Sequence, residues 1–366
     1  MDQSLTIILT GIVALLYVVQ LTYVIRFLRF KPLKFENKEP LPPISVVVVG
    51  RNEANNWVKL IPVLQNQSHQ TFEIVAVSDR SYDDSVEIIS KFMVEDTRIR
   101  LVDVEDNETF AGGKKYALTL GIKAARYEHL LFIDADCLPV DEHWIREMAK
   151  GFSKGDIVLG FGDYQAYPGF LNRLIRWETL HTAMMYFSAA FSGNAYMGIG
   201  RNLAYTKSLF FAVKGFYEHM HLPMGDDDLF VNKAATIAPT VWVTSTKTIS
   251  EPKQTWRAWW KQKRRHMASS TLYRKHSKLY LAIFGMSKVF LYIGLLLLLF
   301  TFLAPVAAML LFLYIGMVSL SMWHIGKHWK VGTTALFSII IDPLLIVLQG
   351  LLMLQNYFTS PPKTWK

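Results

Sequence analysis

Cysteine is nearly absent: Cys137 is the only one in 366 residues. A lone thiol excludes both a disulfide framework and a thiolate zinc site, so Cys137 is expected to pack as a small apolar side chain. A basic leader is missing too, because Met1 to Ser4 holds no lysine or arginine and no small-residue cleavage site follows. Leu5 to Ile25 carries no charge and is long enough to span a bilayer, so it reads as an anchor and not as a cleaved signal peptide. Internal repeats and low-complexity tracts are also lacking, which excludes a repeat architecture.

What is abundant is apolar sequence. The chain is 51% hydrophobic with a mean hydropathy of +0.21, above the range of an ordinary soluble domain of this length. Three further long runs lie near the C-terminus: Val289 to Leu303, Ala304 to Met322 and Ala335 to Tyr357. "FLAPV" joins the first two through a Pro-marked turn. Asp342-Pro343 interrupts the last, which is then either kinked or only dips into the membrane. Four spans are expected, with three or five the alternatives.

The net charge of +9 is concentrated beside these runs, at Arg26 to Lys34, Trp256 to Lys278 and His324 to Lys330. Basic flanks mark the cytoplasmic side, which places residues 35 to 280 in the cytoplasm. Tryptophans interleaved with these cations suit anionic headgroups better than nucleic acid. A nucleic-acid partner is therefore not expected, and no obligate protein partner is evident.

Within the polar block, "PPISVVVVGRNEANN" is a β-branched run, a turn and a helical pattern. Glu73 to Val77 begins a second such unit with helix Ser85 to Phe92. "IRLVDVE", "GGKKYALTLGIKAA" and "HLLFIDAD" supply a third strand, a Gly-led helix and a fourth strand. This alternation predicts βαβ units and a mostly parallel sheet, whose ligands bind at strand carboxyl ends. Each polar cluster does follow a strand: Asn52-Glu53, Asp79-Arg80, Asp134-Asp136. "DIVLGFGDYQAY" and "MGIGRNLAYTK" read as later strands. Phe170 to Phe191 reads equally as a core helix or as one lying among headgroups.

Asp134 and Asp136, at i and i+2, present two carboxylates to one side. That suits a hard divalent cation such as Mg²⁺ or Mn²⁺ with positions left for phosphate oxygens. Four motifs in chain order then resemble membrane-bound glycosyltransferases of family 2, the inverting GT-A type that includes ceramide glucosyltransferase and bacterial lipid glycosyltransferases. The motifs are "VVVVGRNEANN", "SDRSYDDS", "AGGKKYAL" and the "DAD" of 134–136.

The resemblance implies a Rossmann-like GT-A cytoplasmic domain with N- and C-terminal transmembrane helices. It places Asn52, Glu53 and Asp79 against the donor base, and Lys114, with Lys115 the alternative, near the base and diphosphate. Asp136 would bind the metal, Mn²⁺ or Mg²⁺, with Asp134 supporting the metal or the ribose. From the residues alone, Glu53 equally suits a first helical turn, and Asp83 or Asp84 a helix cap. "MGDDDLFVNKAA" resembles the motif carrying the general base, Asp227 in the preferred register and Asp226 in the other. "KQKRRHMA" resembles a Q-x-x-R-W motif: Gln262 and Arg265 match, Arg265 on the donor diphosphate, while His266 stands where an acceptor-side tryptophan is usual. Asn202 of "GIGRNLAY" would lie under the donor sugar, toward the acceptor.

The implied division is an anchor (1–28), a GT-A domain (35–253), an amphipathic interfacial region with a Q-x-x-R-H motif (254–280) and about three C-terminal transmembrane helices (281–357). The implied activity is transfer of a sugar from a nucleotide-sugar donor, UDP-linked by expectation, to a lipid or lipid-linked acceptor in a bacterial inner membrane. A processive polysaccharide synthase is the alternative.

Overall fold

A computed structural model describes residues 3–36, 39–105, 113–222 and 224–360. In chain order the elements are α1 (Gln3–Arg29), β1 (Ile44–Gly50), α2 (Ala54–Gln65), β2 (Phe72–Asp79), α3 (Ser85–Glu95), β3 (Ile99–Val104), α4 (Lys114–Ala124), β4 (His129–Asp134), β5 (Cys137–Pro139) and α5 (Trp144–Lys150). There follow β6 (Ile157–Tyr164), α6 (Phe170–Phe191), β7 (Leu203–Thr206), α7 (Lys207–Ala212), α8 (Asp228–Ala234), β8 (Thr240–Ser250), α9 (Trp256–Ser270), α10 (Lys275–Leu298), α11 (Ala304–Gly326) and α12 (Ser338–Phe358).

All eight strands join one sheet in the order β3-β2-β1-β4-β7-β6-β8-β5. β1 to β4 are mutually parallel, β7 runs antiparallel to β4 and β6, β8 is parallel to β6, and β5 is an antiparallel edge. β1 is buried on both faces, which explains its unbroken apolar run. Ile44, Val46 and Val48 pack with Trp57 of α2, Ile89 of α3 and Trp144 of α5. Val47 and Val49 face the other way, onto Leu118 and Ile122 of α4, in a core that continues through α6 into the apolar helices. α6 is therefore a core helix: Leu174, Trp177, Leu180 and the run from Ala183 to Ala190 are buried between the sheet and those helices. β5 and β8 were not expected, although β8 is the longest of these strands.

Among the described residues, four helices are long and apolar enough to cross a membrane: Gln3–Arg29, Lys275–Leu298, Ala304–Trp329 and Gly332–Phe358. The second starts earlier than its apolar run, because Lys275, His276 and Lys278 already lie in α10. α10 runs antiparallel to α1. Tyr23 bonds the Tyr280 carbonyl, Gln20 bonds Phe284 O and Ser287, and Val13 packs on Gly294, where a β-carbon would lie 2.5 Å from Val13 Cγ2. α11 runs parallel to α1, Tyr314 donating to Gln20 at 2.8 Å. Such bonds join apolar helices where the hydrophobic effect gives little preference.

α12 lies differently. It continues through Pro343, and its first residue, Ser338, accepts a hydrogen bond from Trp177 of α6. Its far end is held by α9: Trp260 donates to Gln355 at 2.6 Å, and Arg264 reaches Asn356 and Thr359. Near its start Asp342 accepts from Lys288 and, at 2.8 Å, from Tyr292, both in the middle of α10, so α12 runs from the apolar helices to α9.

Candidate active site

After β3 the chain crosses back to set β4 on the other side of β1, so a crevice opens where the two strands end. Asp134 closes β4 in register with Val49. Lys114, the first residue of α4, donates to Asp134 Oδ1 at 2.6 Å and lies 3.0 Å from Asp226 Oδ2. One ammonium therefore joins a carboxylate of the fourth strand to one from the loop before α8. Burial alone would depress its pKa, but the attraction of Asp134, Asp226 and Asp227 prevails and holds it well above the ordinary lysine value. Lys115 is turned away, buried, with its Nζ on the carbonyls of His219 and Leu222.

The three consecutive aspartates have three different surroundings. Asp226 pairs with Lys114. Asp227 caps α8, taking the Asp228 N–H at 2.7 Å on one oxygen and the Gly200 N–H at 2.8 Å on the other. Burial, then the charges of Asp226 and Asp228, push its carboxyl up to about 7. Asp228 is buried and accepts from Ser269 and from Tyr273, the latter at 2.7 Å. Gly225, at φ +91°, turns the chain into this triplet, a conformation free of strain only for glycine.

Asp136 faces the cavity, its carboxyl raised by burial and by Asp134 against the pull of Lys114 and Arg201. Asp134, Asp136 and Cys137 bring one ligand atom each within 4.8 Å of one another. The two carboxylates fit a hard divalent ion. The Cys137 thiol is buried and held well above its usual pKa by burial and both aspartates, so it does not suit one.

A cavity of about 510 Å³ gathers Glu53, Lys114, Asp134, Asp136, Asp226 and Asp227 with Gln262, Arg265 and His266 of α9. The outer sequence candidates are placed elsewhere. Asn52, at φ +55°, uses its side-chain oxygen to accept the Tyr82 N–H, tying the loop after β1 to the loop after β2. Asp83 reinforces this tie, taking the Ala54 N–H at 2.9 Å and the Ser85 hydroxyl. Asp79 is buried and paired with Arg80 at 2.8 Å.

Asn202 corrects the sequence reading. It is fully buried, donates to Phe161 O and accepts from Trp144, and is not part of the cavity wall. Its neighbour Arg201 is on that wall, fixed by Gly162 O at 2.7 Å, by Ser250 Oγ at 2.8 Å and over the Tyr164 ring at 4.1 Å. Both residues lie in the turn before β7, closed by the Asn202 N–H on Ile199 O at 3.0 Å, and no spacing in the sequence marks Arg201. Glu178 of α6, bridged to Lys263 at 2.7 Å, is a further wall residue that no motif indicated.

The chain matches Glycosyl transferase family 2 over residues 45–211 and Glycosyl transferase family group 2 over residues 129–326, the second more than half its length. It belongs to the family 2 glycosyltransferases. Glycosyltransferase GlyG of Streptococcus pneumoniae is 32% identical over 124 residues, 34% of this chain and 40% of that protein. Poly-beta-1,6-N-acetyl-D-glucosamine synthase of Staphylococcus aureus is 30% identical over 124 residues, 34% of this chain and 28% of that protein. Both matches span less than half of the relative's length. Among solved structures, mannosyltransferase PcManGT from Pyrobaculum calidifontis, in complex with GDP-Man and Mn²⁺, superposes with a TM-score of 0.59 at 17% identity, covering 92% of this chain and 97% of that one. At that identity the likeness is one of fold, and the fold is GT-A.

Proposed function

We propose that this chain is a membrane-bound inverting glycosyltransferase that moves one sugar from a nucleotide-sugar donor, UDP-linked in the preferred reading, to a lipid or lipid-linked acceptor. The observation that carries the reading is a single cavity whose wall includes the strand-end carboxylates Asp134 and Asp136, the triplet at α8, and Leu281 and Gln349 of the apolar helices α10 and α12. The donor's nucleoside lies toward Glu53 and the loops that Asn52 and Asp79 help shape, and its diphosphate lies toward Arg265, whose planar fork suits it. Asp136, with Asp134, would hold Mn²⁺ or Mg²⁺, which when bound neutralises charge on the departing diphosphate.

Asp227 is the base in this reading. It accepts the acceptor hydroxyl's proton as that oxygen bonds to the sugar's C1, while the C1–oxygen bond to the diphosphate breaks and the nucleoside diphosphate leaves with the electron pair. Displacement from the opposite face inverts C1. Asp226 serves less well because Lys114 already engages it.

The same proposal covers the membrane arrangement in a bacterial inner membrane. α1, α10 and α11 cross it, α12 enters it beside α10 through Asp342 and ends on α9, and the basic flanks are cytoplasmic. Processive synthesis is the second reading, favoured by the likeness to the poly-beta-1,6-N-acetyl-D-glucosamine synthase. Incubation of the purified chain with UDP-glucose, UDP-galactose, UDP-N-acetylglucosamine or GDP-mannose, Mn²⁺ and extracted bacterial lipids separates the two. A lipid carrying one sugar supports the proposal, and a polymer ladder overturns it.

A further inference from the structure

The cavity's charges are distributed unevenly. Among the described residues of its wall, carboxylates outnumber lysines and arginines, and the cations other than Lys253 sit with carboxylates or are already engaged. Lys114 is held by Asp134 and Asp226, Lys263 by Glu178, and Arg201 by Gly162 O, Ser250 and Tyr164. Arg265 feels Asp226, Asp134 and Asp227. Lys253, three residues beyond the end of β8, is exposed at the cavity wall. The wall contributed by α6, α10 and α12 consists instead of Thr179, Thr182, Tyr186, Leu281 and Gln349, with Glu178 and Lys263 neutralising one another at its edge.

We infer that the acceptor is a neutral lipid alcohol, held by its uncharged head against Thr179, Thr182 and Gln349, and that lipid phosphates are excluded. This rests on the glycosyl-transfer reading above. A phosphate monoester would bring roughly two negative charges at neutral pH to a stretch of wall whose described residues offer Lys263 alone as a cation, already bridged to Glu178, beside the Asp226–Asp228 triplet. It would also present an oxygen already ionised, leaving Asp227 no proton to take. A hydroxyl needs that base, and threonine hydroxyls with a glutamine amide can bond an uncharged head without a charge to match. The apolar part continues onto α12, whose Val347, Leu351 and Leu354 are exposed on the outside.

The test supplies the full-length chain in detergent with Mn²⁺, the four nucleotide sugars named above, and dioleoylglycerol, a polyprenol or the phosphate of the same polyprenol. Transfer to a neutral lipid at least tenfold faster than to the polyprenyl phosphate is expected. Faster transfer to the phosphate overturns this inference and leaves glycosyl transfer to lipid intact. Sugar found only on saccharide overturns the lipid-acceptor reading itself, and this inference with it.

Gln349→Lys adds a cation to the wall. It should raise transfer to polyprenyl phosphate several-fold relative to polyprenol, with folding checked by thermal unfolding and by Mn²⁺-dependent UDP binding. An unaltered ratio in a folded, UDP-binding variant would show that this wall does not receive the acceptor.

Discussion

At the strand-end side of the cavity, cations are set against carboxylates or an aromatic ring: Lys114 between Asp134 and Asp226, Arg201 over Tyr164. On the side of α6, α10 and α12, apart from the Glu178–Lys263 pair at the edge, the polar groups are hydroxyls and an amide. The contrast shows where each substrate's chemistry is met. A diphosphate with its counter-cation needs preorganised charge, whereas an alcohol needs one base and a polar but neutral seat.

The comparison breaks most severely at Asp227. Asp227→Asn should reduce turnover by roughly 10² to 10⁴ while donor binding stays near wild type, measured by initial rates and by nucleotide titration. Equal loss in Asp226→Asn, with Asp227→Asn active, would move the base one residue. Lys114→Met comes next, because it leaves Asp134 and Asp226 facing each other; a stability loss of about 3–5 kcal/mol is expected from denaturant unfolding, partly restored by adding Asp226→Asn.

The pH profile is a smaller effect. With the Asp227 carboxyl near 7, the base is protonated and idle below that value, so turnover should fall roughly tenfold per unit as pH drops under about 7. The sign for stability is opposite. Its folded-state pKa is raised, so its contribution is full below about 4 and is lost as pH rises through about 7. Least costly is Asn52→Ala, which removes the bond to Tyr82 and should cost about 1 kcal/mol in thermal or chemical unfolding. The membrane side has its own test in an otherwise cysteine-free chain. Phe302→Cys, between α10 and α11, should react with an impermeant thiol reagent on intact cells, and Thr359→Cys should not.

Legibility in the sequence divides along the same line. β1 to β4 alternate with helices at short range, so periodicity located them, and their polar loops followed. β8 escaped notice although "TVWVTSTKTIS" is rich in β-branched residues, because its partners β6 and β5 are remote in sequence. The motif "GIGRNLAY" points to Asn202 and does not show that Arg201 faces the cavity, because motif matching does not fix which way a side chain points. The link from Lys114 to Asp226 depends on two loops meeting in space, which spacing along the chain does not encode. Length and hydropathy mark α12 as apolar enough to span; its bonds to Trp177, Trp260 and Arg264, and those of Asp342 to Lys288 and Tyr292, join residues remote in sequence and leave no trace in that pattern.

In the proposed site, carboxylates from β4 and from the head of α8 serve one nucleotide and one metal ion with divided roles. Calorimetric titration of UDP in the presence and absence of Mn²⁺ measures that division. Mn²⁺-dependent binding should disappear in Asp136→Ala and persist in Asp227→Asn. Full Mn²⁺-dependent binding by Asp136→Ala would contradict the account.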